Sequence, residues 1–308
     1  MTPKTIAIIG GSDADLIMIA NRIPNRGESV LASQYLEALG GKGANSAIAT
    51  YRTCHKKSLQ KKSCFDGDDI QFKMIGAVGD NRYVPNTRSS ICFVIVEDLS
   101  RENRCLFTLG ATATWKKEDF IHAEQLGGGI RPHVVVAQME IDNEVVESML
   151  ATAAPASPIS KRLYRHVAHF LVNESEAAVM SGLDRDEVNQ DTWPIIAQGF
   201  LNRGVANVVI TLGAKGAFYA NNTRGSGHCP AFDVKVKDTT GAGDTFTGPY
   251  ASDYLRQKAK GTWDIKSAVI RANKAAAITI ESVGTQDGIP WSDEMNSFDA
   301  LEKSLDAS

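Results

Sequence analysis

A glycine-rich segment followed by an aspartate, DTTGAGDTF (Asp238 to Phe246), is the part of this sequence that most clearly indicates chemistry. Gly241 and Gly243 flank Ala242 directly before a helical pattern, so backbone N–H groups can converge at a helix N-terminus that favours anions. Phosphoryl transfer needs such donors, and Asp244 can accept the proton of an attacking hydroxyl group. A glycine-rich turn with an acidic helix start is the alternative, but the length of the segment favours a phosphate site.

A second glycine-rich motif, GGKGAN, runs from Gly40 to Asn45. Its glycines permit close backbone approach, Lys42 adds a positive charge, and Asn45 offers both a hydrogen-bond donor and an acceptor. It is not a Walker A loop, because GxxxxGK[ST] is absent. A glycine turn that starts a helix is the alternative interpretation.

Acidic residues follow the first predicted strand as Asp13-Ala14-Asp15. Carboxylates at the carboxyl end of a strand suit the recognition of hydroxyl groups in the crevice of an α/β sheet. Two solvated acids in a loop are the alternative.

Two further segments follow predicted strands and could contact a nucleotide. Asn173 could contact phosphate oxygens, and Glu176 could hold Mg²⁺ directly or through water. The alternative is that Asn173 is an N-cap and that Glu176 closes its capping box. The segment TLGAKG, from Thr211 to Gly216, could cradle phosphates or ribose, or it could only turn the chain.

Short β-branched runs alternate with longer helical patterns, which predicts an α/β fold with a mostly parallel sheet and helices on both faces. Predicted strands are Thr5–Gly10, Phe72–Val78, Ile91–Glu97, Arg104–Thr108, His133–Met139, Phe170–Val172, Asn207–Leu212 and Gly216–Asn221. Predicted helices are Gly43–Arg52, Asn143–Thr152, a helix over ESEAAVMSG, Thr192–Asn202, Gly241–Gln257, Ile265–Glu281 and Ser292–Ser304.

Composition excludes several other classes of protein. The chain has 308 residues and a net charge of -3, which gives no reason to expect nucleic acid or an anionic membrane as partner. Its five cysteines show no CxxC spacing, and neither a signal peptide nor a membrane span is predicted, so we expect a reducing, intracellular compartment. Gly10-Gly11-Ser12 does not complete GxGxxG, which argues against a dinucleotide-binding dehydrogenase.

These motifs, in this order, resemble those of the ribokinase-like carbohydrate kinases from Thr5 to Trp291. DTTGAGDTF is similar to the C-terminal signature of that family, and GGKGAN with the preceding IPNRGES (Ile23 to Ser29) to its N-terminal signature. The resemblance implies one kinase domain over residues 1–308: a central, mostly parallel sheet, helices on both faces, and a β lid built from about residues 16–38 and 88–110. It also implies ATP, Mg²⁺ and K⁺ as cofactors, a cytoplasmic location with the nucleus left open, and a homodimer through the lid as an option.

The resemblance also implies a role for each matching residue. Asp244 matches the base that deprotonates the sugar hydroxyl, and Gly241, Ala242 and Gly243 match the anion hole. The sugar-binding positions are Asp13, Ala14, Asp15, Gly41, Lys42, Gly43, Ala44, Asn45, Glu140 and Asp244. The ATP-binding positions are Asn173, Thr211, Leu212, Gly213, Ala214, Lys215, Gly216, Gly243 and Asn273. Glu176 matches the acid associated with Mg²⁺, and a monovalent-cation loop is matched by Asp238, Thr240, Thr279, Ser282, Gly284 and Gly288.

Two segments depart from the family pattern. Asn81 to Ser90 is too short for the helix and strand that the family has there, which together need about 17 residues. At Ala151 to Ser160 a helix is predicted to run straight through where the family has a core strand. We therefore expect a lid strand, its supporting helix and one core strand to be missing.

The substrate that the resemblance implies is D-ribose, phosphorylated by ATP at the 5-hydroxyl. Asp13-Ala14-Asp15 and GGKGAN look more like the ribose kinases than like the adenosine or fructose kinases. A kinase for another sugar or nucleoside, and a catalytically impaired protein that binds sugar or nucleotide, remain the alternatives.

Overall fold

The computed structural model describes residues 3–57, 70–79, 87–100, 103–138, 141–153, 163–223, 225–298 and 301. The strands in these residues are β1 (Lys4–Ile9), β2 (Asp13–Ala20), β3 (Ala32–Gly40), β4 (Ile70–Ile75), β5 (Ser90–Glu97), β6 (Asn103–Thr108), β7 (Val134–Ala137), β8 (His169–Asn173), β9 (Asn207–Thr211), β10 (Ala217–Asn221) and β11 (Gly225–Cys229). The helices are α1 (Lys42–Cys54), α2 (Asn143–Ala153), α3 (Glu174–Ser181), α4 (Trp193–Asn202), α5 (Ala242–Lys260), α6 (Ile265–Thr279), α7 (Thr285–Gly288) and α8 (Ser292–Ser297).

Parallel strand pairs form the centre of the molecule. One sheet has the order β4-β1-β7 and is parallel throughout, and a second has the order β11-β10-β9-β8, in which β8 and β9 are parallel. Strand β1 is apolar and buried along almost its whole length, as expected of a strand that is covered on both faces. The parallel part of the predicted fold is therefore present.

Helices cover both faces of the second sheet, as successive residues of β9 show. Val208 and Ile210 pack into one core cluster with Trp193 and Phe200 of α4. Val209, between them, packs into another cluster with residues of α5 and α6. Because neighbouring side chains of a strand point to opposite faces, the helices must lie on both sides. The predicted α/β architecture is confirmed here.

A separate four-stranded sheet, in the order β3-β2-β5-β6, is built from the residues predicted to form the lid, and we call it the lid sheet or lid. Strands β2 and β5 are parallel, and the two outer pairs are antiparallel. The predicted pairing of Ile91–Glu97 with Arg104–Thr108 is confirmed by the register of β5 and β6. The sheet starts at Asp13, three residues before the predicted bound of the lid.

The second predicted departure coincides with a break in the central layer. Helix α2 ends at Ala153, and residues 154–162 lie outside the described part of the chain, as do residues 80–86 of the first departure. Among the described residues, no strand lies between β7 and β8, and these two strands do not pair. In the part of the chain that the structure describes, the central layer is therefore divided into two sheets.

Several predicted element ends were wrong. The last helix ends at Ser297 and not at Ser304, and β4 ends at Ile75 and not at Val78. Helix α6 ends at Thr279 and not at Glu281, and the carbonyl of the next residue, Ile280, accepts a hydrogen bond from the backbone N–H of Lys237. Strand β11 was not predicted, since GSGHC lacks β-branched residues. No helix in the described ranges is both long and apolar enough to cross a bilayer.

Candidate active site

The two glycine-rich motifs meet at one hydrogen bond. The side-chain Nδ2 of Asn45, in the first turn of α1, donates to Oδ2 of Asp244, in the first turn of α5, at 3.0 Å. The two helices can come this close because α5 carries Gly248, where a Cβ would lie 2.5 Å from the backbone nitrogen of Thr50. Residues 199 positions apart in the chain thus form one polar site.

The predicted anion hole lies at the N-terminus of α5. Gly241 caps this helix with φ of 75°, a left-handed conformation that L side chains rarely adopt. The N–H of Ala242 also bonds to the Thr239 carbonyl at 3.3 Å, so this donor already has a partner within the turn. A Cβ added to Gly243 would meet nothing within 4 Å, which places open space beside this backbone. An anion could therefore approach Gly243.

The buried Asp238 ties the start of the motif to the chain after α6. Its Oδ1 accepts hydrogen bonds from the backbone N–H of Thr240 at 2.9 Å and from the hydroxyl of Thr240 at 2.6 Å. Its Oδ2 accepts from the N–H of Gly284 at 3.0 Å. These contacts bring three of the predicted cation-loop residues together.

The other residues of the predicted cation loop lie nearby, but the side chain of Thr279 already has a hydrogen-bond partner within α6. The carbonyl of Thr279 accepts from the N–H of Ser282 at 3.1 Å, and a Cβ on Gly288 would lie 2.5 Å from the same oxygen. The hydroxyl of Thr279 donates to the Ala275 carbonyl at 3.0 Å inside α6. The described residues contain no group of three or more His, Cys, Asp or Glu side chains that could hold a metal. The loop does contain the backbone carbonyls of Thr279 and Ile280 beside the Asp238 carboxylate, and oxygen ligands of these kinds suit a hard cation.

The two acids of Asp13-Ala14-Asp15 open strand β2 of the lid sheet rather than standing in a loop. Asp13 and Asp15 share a face of the strand, while Ala14 points to the other face. Asp15 is 6% exposed, and its carboxylate packs against Gly40, where a Cβ would overlap it. Burial, and then the charge of Asp13, raise the pKa of Asp15 to about 6. The solvated-acid interpretation does not fit Asp15.

Asn173 and Glu176 form the capping box that was the alternative interpretation of this motif. Glu176 N–H donates to Asn173 Oδ1 at 2.8 Å, and Asn173 N–H donates to Glu176 Oε2 at 2.9 Å. The other oxygen of Glu176, Oε1, lies 3.9 Å from Nζ of Lys42. A side chain of the predicted sugar motif is thus beside the predicted magnesium residue, across the gap between the two sheets.

The segment from Thr211 to Gly216 turns the chain between β9 and β10. The turn is a short 3₁₀ helix over Gly213–Lys215, closed by Gly216 with φ of 94°. Asn273 supports the chain after β11, because its Nδ2 contacts the carbonyls of Cys229 and Pro230, each at 3.3 Å. The turn interpretation is confirmed, and nucleotide contacts for these residues stay a prediction. Glu140 lies outside the described residues.

Three residues outside the predicted motifs also belong to this contact network. Gln286 Nε2 donates to Asn45 Oδ1 at 3.2 Å, and Arg52 Nη1 donates to the carbonyl of Gln286 at 2.6 Å. From the lid, Asn103 Nδ2 donates to the hydroxyl of Thr240 at 2.7 Å. The only sequence signal for Gln286 was its position between two glycines of the predicted cation loop.

A parallel α/β layer, a separate β sheet, and a glycine-rich helix start beside a carboxylate are what is expected of a phosphotransferase for small hydroxylated molecules. The chain belongs to the pfkB family of carbohydrate kinases, whose family model matches residues 3–292.

Relatives of known activity are similar over the whole length. A deoxyribokinase of Salmonella typhi is 30% identical over 97% of this chain and 99% of its own length. A ribokinase of Staphylococcus aureus is 31% identical over 96% of this chain and 99% of its own. The solved structure of ribokinase from Thermotoga maritima superimposes with a TM-score of 0.70 at 25% identity, covering 96% of this chain and 99% of that one. ATP-dependent phosphorylation of a carbohydrate is the activity these findings support.

Proposed function

We propose that this carbohydrate kinase transfers the γ-phosphoryl group of ATP to the 5-hydroxyl of D-ribose. The hydrogen bond between Asn45 and Asp244 carries the proposal, since it joins the motif assigned to the sugar with the motif assigned to the phosphate. Asp244 lies where these two motifs meet, so it can hold a sugar hydroxyl group in line with a phosphoryl group.

In the proposed reaction Asp244 accepts the proton of the 5-hydroxyl. A bond forms between that oxygen and the γ-phosphorus, while the bond to the bridging oxygen of ADP breaks and ADP leaves. Backbone N–H groups at Gly241 to Gly243 stabilise charge on the transferred oxygens. If the transition state is loose, the proton transfers late, and Asp244 serves mainly to position the hydroxyl.

The residues that would hold the cofactors follow from the same geometry. Glu176 is the residue we assign to Mg²⁺, directly or through water, and Mg²⁺ would neutralise charge on the phosphates. Lys42, 3.9 Å from Glu176, is close enough to share an anionic ligand with such a cation. We assign K⁺ to the carbonyl-rich loop around Asp238 and Gly284, where it would add positive charge beside the anion hole.

Asp13 and Asp15 suit a sugar because carboxylates accept hydrogen bonds from paired hydroxyl groups. Similarity at about 30% to both a ribokinase and a deoxyribokinase leaves the 2-position of the sugar as the open question. A coupled assay for ADP formation with ribose, 2-deoxyribose, fructose, adenosine and pseudouridine tests the assignment. The highest kcat/KM is expected with ribose. Turnover of a nucleoside but not of ribose would contradict the assignment of ribose as the substrate.

The break between β7 and β8 favours one alternative, a protein that binds sugar or nucleotide and is catalytically weak. A central layer in two parts would hold the sugar motif and the nucleotide motif less rigidly against each other. Thermal shift with ribose and with a non-hydrolysable ATP analogue, run beside the assay, separates the two. Stabilisation without turnover favours the binding protein, and stabilisation with turnover favours the kinase.

We also propose a homodimer through the lid. The outer strands expose large apolar side chains, among them Leu39 of β3 and Leu106 of β6, at 74% and 73% exposure. The strand register puts Leu39 and Leu106 on the same face of the sheet, and an exposed apolar face is typical of association surfaces. Light scattering that gives the mass of a monomer at all concentrations would contradict the proposal.

A further inference from the structure

The side-chain amide of Asn45 can face Asp244 in two ways that have opposite energies. With Nδ2 towards Asp244, as in the structure, an N–H donates to Oδ2 at 3.0 Å. Rotated by half a turn, the amide would present Oδ1 to the carboxylate, and two oxygens that only accept would face each other. Asn45 is 4% exposed, so water could not easily relieve that contact.

Gln286 supports the first of these two orientations, in addition to Asp244. Its Nε2 donates to Oδ1 of Asn45 at 3.2 Å, and this contact exists only while Oδ1 points away from Asp244. Gln286 and Asp244 thus hold opposite ends of one amide, so each contact supports the other.

The backbone that carries Gln286 is itself anchored. Arg52, in the last turn of α1, donates through Nη1 to the carbonyl of Gln286 at 2.6 Å and to that of Ile289 at 3.1 Å. Its guanidinium lies over the ring of Trp291, 5.5 Å from the centroid. Helix α1 therefore holds the turn of α7 from one end while Asn45, in its first turn, contacts the Gln286 side chain from the other.

We propose that Gln286 is a positioning residue for phosphoryl transfer, which fixes the amide of Asn45 so that Nδ2 holds the carboxylate of Asp244. This inference rests on the proposed role of Asp244 as the base. A carboxylate held in one rotation keeps an acceptor oxygen aimed at the sugar hydroxyl, and loss of that alignment lowers the rate of the chemical step. Gln286 need not touch the substrate to have this effect.

Two substitutions of similar size separate orientation from packing. Gln286→Met removes the donor and leaves the Asn45 amide held by Asp244 alone. Gln286→Glu supplies a group that only accepts when ionised, so it opposes Oδ1 of Asn45 and competes with Asp244 for Nδ2. We expect kcat to fall about tenfold in Gln286→Met and about a hundredfold in Gln286→Glu, with KM for ATP unchanged within about twofold. Asp287→Ala, at an exposed neighbouring position of α7, is the control and should retain the wild-type kcat.

A measurement that needs no turnover keeps this inference separate from the proposed function. In protein with ¹⁵N-labelled asparagine, the side-chain signal of Asn45 is assigned by its loss in Asn45→Ala. We expect the signal to shift or broaden in Gln286→Met and in Asp244→Asn, and to stay in place in Asp287→Ala. An unchanged signal in Gln286→Met, or equal kcat for the Met and Glu variants, would overturn the inference. A shifted signal in a protein that phosphorylates no sugar would instead overturn the proposed function.

Discussion

Among single residues, Asp244 combines the features that a proton acceptor needs in this kind of reaction. It lies in the first turn of α5, next to backbone that borders open space, and an amide holds one of its oxygens at 3.0 Å. The fixed amide restricts the carboxylate without neutralising it. These contacts are the reason we assign the role of proton acceptor to Asp244 rather than to another aspartate.

Replacing this carboxylate gives the most direct test of the mechanism. Asp244→Asn keeps the size of the side chain but cannot accept a proton, so kcat should fall by about 10²–10⁴-fold. The affinity for ATP, measured by calorimetry without sugar, should change little, because the predicted nucleotide contacts lie on other elements. Turnover near the wild-type rate in this variant would remove Asp244 from the role of base.

Asp15 makes the stability of the protein depend on pH in an unusual direction. Burial and the charge of Asp13 raise the pKa of Asp15 from 3.8 to about 6, so between these values the folded state binds more protons than the unfolded state. The free energy of unfolding contributed by this group therefore falls as pH rises through that window. In Asp15→Asn this contribution is absent.

Urea unfolding of the wild type and Asp15→Asn at pH 4.5 and pH 7 measures the effect. The variant should gain stability relative to the wild type as the pH is raised, and Asp13→Asn should show a smaller change in the same direction. A difference between wild type and Asp15→Asn that is the same at both pH values would mean that Asp15 titrates normally.

Among the elements, the lid is linked to the phosphate motif by a chain of hydrogen bonds. Asn103, the first residue of β6, donates to the hydroxyl of Thr240, which donates to Asp238, which accepts from Gly284. The lid thus contacts the same loop that we assign to the cation. Closure of the lid and order in that loop should therefore support each other.

Loss of this link should loosen the lid without removing any proposed ligand of the sugar. In Asn103→Ala we expect KM for ribose to rise about threefold to tenfold, the effect of one hydrogen bond. A larger share of ATP should also be hydrolysed without sugar phosphate being formed, since a loose lid admits water. Arg104→Ala, exposed at the next position of β6, is the control. Equal KM values for the two variants would show that Asn103 does not act on the lid.

The extent to which the structure could be predicted from the sequence differs from one element to the next. The alternation of short β-branched runs with helical patterns predicted β9 and the helices on its two faces, and Val208, Val209 and Ile210 are all buried as such a strand requires. The motif DTTGAGD predicted the start of α5, because helix starts depend on local residues. Gln286 and Asn103 could not be predicted, because their contacts are with residues far away in the chain and depend on tertiary packing. The capping box at Asn173 is a local contact, but its local pattern fits both a helix cap and a phosphate contact, so the sequence left both interpretations open.

At the scale of the whole molecule, the break between the two sheets is the feature that most affects how the site is held. In the described residues, β7 pairs only with β1, and β8 pairs only with β9. Each strand then has one row of backbone groups without a partner strand. The GGKGAN motif contacts the chain just after β1, where the N–H of Ala44 donates to the carbonyl of Gly11 at 3.1 Å, and the predicted nucleotide residues Asn173 and Thr211 end β8 and β9. Helix α5 packs against residues of the second sheet and also holds Asp244 against Asn45, so it links the two parts.

Hydrogen exchange measures whether these two strands behave as edges. Amides of β7 and β8 should exchange faster than those of β1 and β9, because half of the amides in an edge strand lack a partner strand. Mass spectrometry of peptic peptides that cover the four strands gives the comparison within one protein, with β1 and β9 as internal controls. If ribose and an ATP analogue bind on opposite sides of the break, adding both should slow exchange in β7 and β8 more than either ligand alone. Equally slow exchange in all four strands of the free protein would show that the edges are covered in solution and that the central layer is continuous.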